Sequence, residues 1–205
     1  MHKLLLRIFT AGFVVFLVFA VFTAGYILNL KSGISSNVLR LHIIGESDSV
    51  LDQTLKLKVR DRILSDYSDI FKGCSSITET IKEADKNLGR IEASAKDELL
   101  KLGYDKDVYA TLSSCSFPTK TYDDISLPAG KYTALNIKIG DGMGQNWWCV
   151  MYPPLCVTEG VVSVPDSSKA MLKDVLSENE YNLITGGKGF KIKFKIAETI
   201  GKYLE

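Results

Sequence analysis

Four cysteines, at positions 74, 115, 149 and 156, carry the widest chemical repertoire in this chain. A structural zinc site would bring two ligands within a C-x2–4-C spacing, and no pair lies that close. A thiol nucleophile needs a base, and beyond His2 the only histidine is His42, far in sequence from every cysteine. Disulfides are the third option. Cys149 and Cys156 flank VMYPPL, whose paired prolines can only turn or extend, so a local bridge closing that loop is predicted. Cys74 and Cys115 are then a possible second pair.

The carboxylates and glycines offer less. His42, Glu46, Asp48 and Asp52 could be imagined as metal ligands, but Asp48 and Asp52 stand where the start of a helix favours acids, and His42 alternates with apolar neighbours like an ordinary strand residue. Gly140-Asp141-Gly142-Met143-Gly144 joins strand to strand, without the helix N-terminus of a phosphate cradle, and reads as a hairpin loop. Lys56 and Arg60 continue an i, i+4 ladder from Asp52 and read as a solvated face. No catalytic, cofactor-binding or metal-binding residue is assigned. The unusual stretch is NWWCVMYPPLC (146–156), in which adjacent Trp147 and Trp148 must point to opposite faces of a strand. Either one ring is exposed beside the stapled turn, as a protein-binding hot spot would be, or a second layer covers both.

The elements around these residues follow from composition and pattern. A chain of 205 residues fits one domain with an appendage, and its mean hydropathy of +0.08 is high for a soluble chain with 24% charged residues. The excess is local: Ile8 to Leu30 contains no charge and is long enough to cross a bilayer. Lys3 and Arg7 precede it, which keeps the amino terminus inside and predicts translocation of everything after about Lys31. Residues 1–31 are therefore a signal anchor or signal peptide, 32–36 a polar tether, and 37–205 an exported domain. The length of the run favours retention, while Thr23-Ala24-Gly25 and Val18-Phe19-Ala20 are acceptable cleavage sites. Without Lys3, Arg7 and Lys31, 22 cations face 24 carboxylates, and a body so balanced has no electrostatic footprint for nucleic acid.

Within the body, VLRLHII (38–44) alternates as a strand, and Ser49 opens a helix to about Phe71. Ser76 and Glu79 start a second helix, with an apolar seam from Ile77 through Ile81, Ala84, Leu88, Ile91 and Ala95 to Leu99 and a stop at Gly103. The short link between the helices predicts antiparallel packing. Strands are predicted at 108–116, 131–139 and 145–151, the last two as a hairpin, then a helical piece near 168–176 and an alternating FKIKFKI (190–196). The fold class is α+β: an N-terminal membrane helix, then two antiparallel helices packed on a mostly antiparallel sheet.

LRLHIIGESDSVLDQTLKLKVRD (39–61), FPTKTYDDISLPAGKYTALNIKIGDGMGQNWWCVMYPPLC (117–156) and FKIKFKI together resemble the stage II sporulation protein R family. One departure is the loop IIGESDS where IANSDS would be expected, with Gly45 and Glu46 replacing small neutral residues. The resemblance implies a non-enzymatic signal, made in the forespore and exported across its inner membrane into the space before the mother cell. There it would lead a membrane-embedded aspartic protease of the mother cell to process the precursor of sigma factor E. On that reading Trp147, Trp148, Tyr152 and Lys120 are the expected partner contacts, and no cofactor is implied. The competing class is an extracytoplasmic Cys- or carboxylate-dependent hydrolase acting at the septal wall.

Overall fold

A computed structural model of the protein describes residues 2–156 and 164–186. The first element, α1 (His2–Ser36), is one uninterrupted helix. The polar tether expected at 32–36 is instead its last turn. Leu30 and Ile34 lie one helical turn apart and are both buried in the domain, with Val38 following them in. The polar residues read as a linker satisfy the helix end: Ser35 and Ser36 hydroxyls donate to Ser32 O (3.0 and 2.9 Å) and Asn37 Nδ2 donates to Gly33 O (2.9 Å). Upstream the helix is apolar and exposed, with no part of its most apolar stretch buried, and its length and composition suffice to cross a membrane.

β1 (Leu39–Ile44) leads to α2 (Val50–Lys72) and α3 (Ile77–Lys101). Ser49 caps α2 by accepting from Asp52 N (3.1 Å), and Ser76 caps α3 by accepting from Glu79 N (3.2 Å). Across the two helices Arg62 reaches Glu98 while Asp66 accepts from Ser94, a descending match that makes the pair antiparallel. The seam of α3 buries Ala84, Ile91, Ala95 and Leu99, and Gly103 follows with φ +86°.

β2 (Val108–Phe117), β5 (Gly130–Ile139) and β6 (Asn146–Tyr152) complete a four-stranded sheet with β1, in the order β2-β5-β1-β6. β3 (Lys120–Tyr122) and β4 (Ile125–Leu127) form a separate antiparallel ribbon. α4 (Asp166–Val175) and α5 (Glu178–Thr185) close the described chain, α5 with a Ser177/Glu180 capping box and Gly186 in the left-handed conformation. The FKIKFKI segment lies outside the described residues.

The hairpin expected between β5 and β6 does not form, because β1 lies between them, parallel to β5 and antiparallel to β6. Leu39, Leu41 and Ile43 are wholly buried on one face and Arg40 and His42 nearly so on the other, and a strand covered on both faces belongs at the centre. Gly140–Gln145 therefore crosses over the end of β1. Met143 N donates to Glu46 O (3.0 Å) and Gly144 N to Gly45 O (2.9 Å). Gly144 allows this approach: a Cβ there would overlap the Ser47 carbonyl, 2.7 Å from its carbon, and lie 2.9 Å from Gly45 O.

Each face of the sheet has its own core. α2 and α3 cover Leu41, Ile43, Leu135, Ile137, Cys149 and Met151. On the opposite face the end of α1, the ribbon, α4 and α5 enclose Phe117, Tyr132, Ala134 and Val150. Lys56 and Arg60, expected as a solvated ladder, are 4% and 3% exposed. α2 turns this side toward the sheet, where Lys56 Nζ donates to Gln145 O (2.8 Å) and Arg60 pairs with Asp61 (2.6 Å), so both charges are paired or hydrogen-bonded inside.

Candidate functional site

The unusual sequence at 146–156 is β6 and the turn that ends it. Cys149 and Cys156 are joined by a disulfide, with Cα atoms 5.6 Å apart. Leu155 N and Cys156 N both donate to Val150 O (3.1 and 3.3 Å), so backbone hydrogen bonds close the same loop. Cys74 and Cys115 are free thiols, and the possible second bridge is absent for a topological reason: Cys74 lies in the core beneath the helices, whereas Cys115 packs on the core of the opposite face. Burial pushes both thiols above their ordinary titration range.

Both tryptophans are half-buried, each packed against a different layer. Trp147 packs on the helical side with the Arg60 guanidinium 4.5 Å from its ring centroid, and its Nε1 has no partner among the described residues. Trp148 faces the other way, stacked on His42 at 3.8 Å and met edge-on by Phe117 at 4.5 Å. The expected contact Tyr152 is 1% exposed and belongs to the core, because the register shift of β6 against Leu39/Arg40 turns it under the helices. Lys120 is half-buried on the ribbon opposite Leu127. The four expected contacts thus form no single outward surface.

Around Trp148 the sheet holds a polar interior that alternation alone did not reveal. Arg40 is fully buried: Nε donates to Cys149 O (3.0 Å) and Nη2 to Tyr122 Oη (3.2 Å), while Nη1 has no partner among the described residues. Its charge is met by aromatic faces, with Phe117, Tyr132 and Tyr122 centroids at 4.3, 4.9 and 5.9 Å. Burial lowers the Arg40 pKa and raises that of Tyr122, and it pushes Tyr132 up to about 12. Tyr132 Oη donates to Pro128 O (2.6 Å).

Next to this box, His42, Asn136 and Cys115 come together, a combination that sequence distance concealed. His42 Nδ1 lies 3.0 Å from Asn136 Oδ1 and Nε2 lies 2.7 Å from Asn146 Oδ1, so both ring nitrogens are engaged. Asn136 Nδ2 donates to Ser113 Oγ and Ala134 O (both 3.0 Å), which aims its oxygen at the histidine. Cys115 Sγ donates to that same oxygen at 3.4 Å. In this arrangement the thiol is bonded to an amide and not to the imidazole. The signal available beforehand was β1 itself, since polar residues in a strand covered on both faces must be satisfied by cross-strand partners.

These features define a class: an α+β domain with a disulfide and a buried arginine among aromatic rings, carried on an apolar helix long enough to cross a membrane. Residues 35–161 match the family described as Stage II sporulation protein R, and the chain belongs to that family. It is 39% identical over 123 residues to Stage II sporulation protein R of Bacillus subtilis (strain 168), an alignment covering 60% of this chain and 55% of that protein's length. No solved structure matches.

Proposed function

We propose that this protein is an exported signal of the second stage of sporulation, which binds a mother-cell membrane aspartic protease and triggers processing of the precursor of sigma factor E. Family membership carries the reading. The structure supports it with a domain placed directly after one apolar helix with cations ahead of it, the arrangement expected of a domain delivered across the forespore inner membrane. A ligand needs only to bind the active arrangement of its target more tightly than the inactive one, and ~3 kcal/mol of difference shifts that balance more than a hundredfold. Catalysis within this chain is not required.

The test is complementation. The full chain, expressed in the forespore of a sporulating strain lacking its own R protein, should restore sigma-factor processing; no processing at normal export would refute the reading. The septal-wall hydrolase is favoured by one observation, the meeting of Cys115, Asn136 and His42. Cys115→Ser separates the two, since the signal retains activity and a thiol hydrolase loses it.

A further inference from the structure

β1 runs away from its junction with α1. β5 is parallel to it and β2 and β6 are antiparallel, so three connections meet at the far end of the sheet. They are Gly45–Ser49 into α2, residues 103–107 into β2, and Gly140–Gln145 between β5 and β6. This end is knit together: besides the bonds from Met143 and Gly144, Gly140 N donates to Asp107 O (2.7 Å), Gln53 Nε2 to Ser47 O (2.8 Å), and Ser47 is hydrogen-bonded to Asp52. Its backbone is already ordered, so little conformational freedom remains to be lost on binding.

On this frame stand apolar side chains that nothing covers. Val50 is 86% exposed, Met143 80% and Leu51 46%. Single exposed apolar residues are ordinary, but these three share one end, because the loop carrying Met143 is bonded to the residues just ahead of the first turn of α2. The rim is acidic. Asp105 and Asp107 are paired with Lys96 and Glu46 with Lys106, while exposed Asp48 and Asp141 have no ion-pair partner among the described residues, and Lys138 at the same end likewise pairs with no acid there, lying over the Tyr109 ring instead. Unpaired exposed acids beside rigid apolar side chains fit a partner of opposite charge and add long-range attraction to it.

We propose that this end of the sheet is the docking surface for a partner protein that presents basic side chains around an apolar socket. Met143, Val50 and Leu51 enter the socket, and Asp48 and Asp141 meet the cations at its edge. The proposal rests on the signalling reading above and names the part of the domain that meets the receiving membrane protein, in place of the two half-buried tryptophans, which face opposite sides of the sheet.

The test uses the full chain in the complemented sporulating strain, scoring sigma-factor processing against the exported amount of protein. Val50→Ser with Met143→Ser, and separately Asp48→Lys with Asp141→Lys, should each lower processing at least tenfold at wild-type export. Ile70→Ser, at the other end of α2 and 38% exposed, should leave it unchanged. Asp48→Asn with Asp141→Asn, which adds no new charge, should give a smaller loss and replaces the lysine pair if that pair is not exported. Wild-type processing by the apolar pair and the charge pair, or an equal loss in Ile70→Ser, would overturn the docking surface. A wild-type chain that fails to complement would instead refute the signalling reading itself.

Discussion

Replacing Gly144 by alanine tests the crossover directly. If residues 140–144 were the tip of a hairpin, a methyl group there would point into solvent and cost a few tenths of a kcal/mol. In the observed topology the added Cβ overlaps the Ser47 carbonyl and stands 2.9 Å from Gly45 O. Both obstacles are backbone atoms, so relief requires the two loops to separate. That movement strains the bonds from Gly144 N to Gly45 O and from Met143 N to Glu46 O, each worth ~1 kcal/mol, on top of ~1 kcal/mol of overpacking. The expected destabilisation is about 2–3 kcal/mol. For a domain of this size that lowers Tm by about 5–10 °C. Gly89→Ala is the matched control: it lies inside α3 with nothing within 4 Å of a Cβ, and should stabilise by about 0.5–1 kcal/mol through helix propensity. Thermal unfolding of the detergent-solubilised full chain, followed by tryptophan fluorescence, measures both. Equal midpoints for Gly144→Ala and wild type would refute the crossover contact.

Other outcomes follow from the two cores. Arg40→Ala should cost about 3 kcal/mol by leaving a cavity among the aromatic rings, whereas Arg40→Met, which fills the space and removes an unpaired buried charge, should cost about 1 kcal/mol or less; denaturant titration separates them. Cys149→Ser with Cys156→Ser should lose about 2.5 kcal/mol from the eight-residue loop, read as a lower urea midpoint. Alkylation without reductant should label two thiols, Cys115 before the more deeply buried Cys74, and labelling of four would refute the bridge. Tyr132 titrates near 10 when unfolded and at about 12 when folded, so its neutral form contributes stability that is complete below pH ~10 and is lost between pH ~10 and about 12. Tyr132→Phe should flatten that alkaline decline in Tm.

Where local chemistry decides structure, the sequence was readable. Ser49 and Ser76 cap the helices expected of them, and the seam of α3 packs on the core as its spacing demands, with Ile77, Ile81 and Leu88 partly buried at its edge. Strand positions were equally plain, but their neighbours were not, since a glycine-rich connection can serve as a hairpin tip or as a bridge over a third strand. The deciding fact, burial of both faces of β1, depends on α4, α5 and the ribbon arriving from later in the chain. The same long-range packing hid Lys56 and Arg60, whose i, i+4 spacing is identical on a wet face and on one pressed against a sheet. The bridge at 149–156 was legible because its two ends are close in sequence. Arg40 with its aromatic rings, and His42 with Asn136 and Cys115, join residues some seventy to a hundred positions apart and exist only once the register is known.

The continuity of α1 into the domain also has a rotational consequence. A helix has no slack: each residue advances it by ~1.5 Å and turns it by about 100°. Leu30 and Ile34 grip the domain from the same rod that carries the apolar stretch, so while that stretch sits in a bilayer the azimuth of the domain is set by residue count. One residue added ahead of Leu30 would swing every surface of the domain by more than a quarter turn while barely raising it, and seven would restore nearly the original heading about 10 Å higher. Proteolysis at Ala20 or Ala24 would spare Leu30 and Ile34 and abolish only the heading, leaving the domain its internal seat and freeing it to tumble.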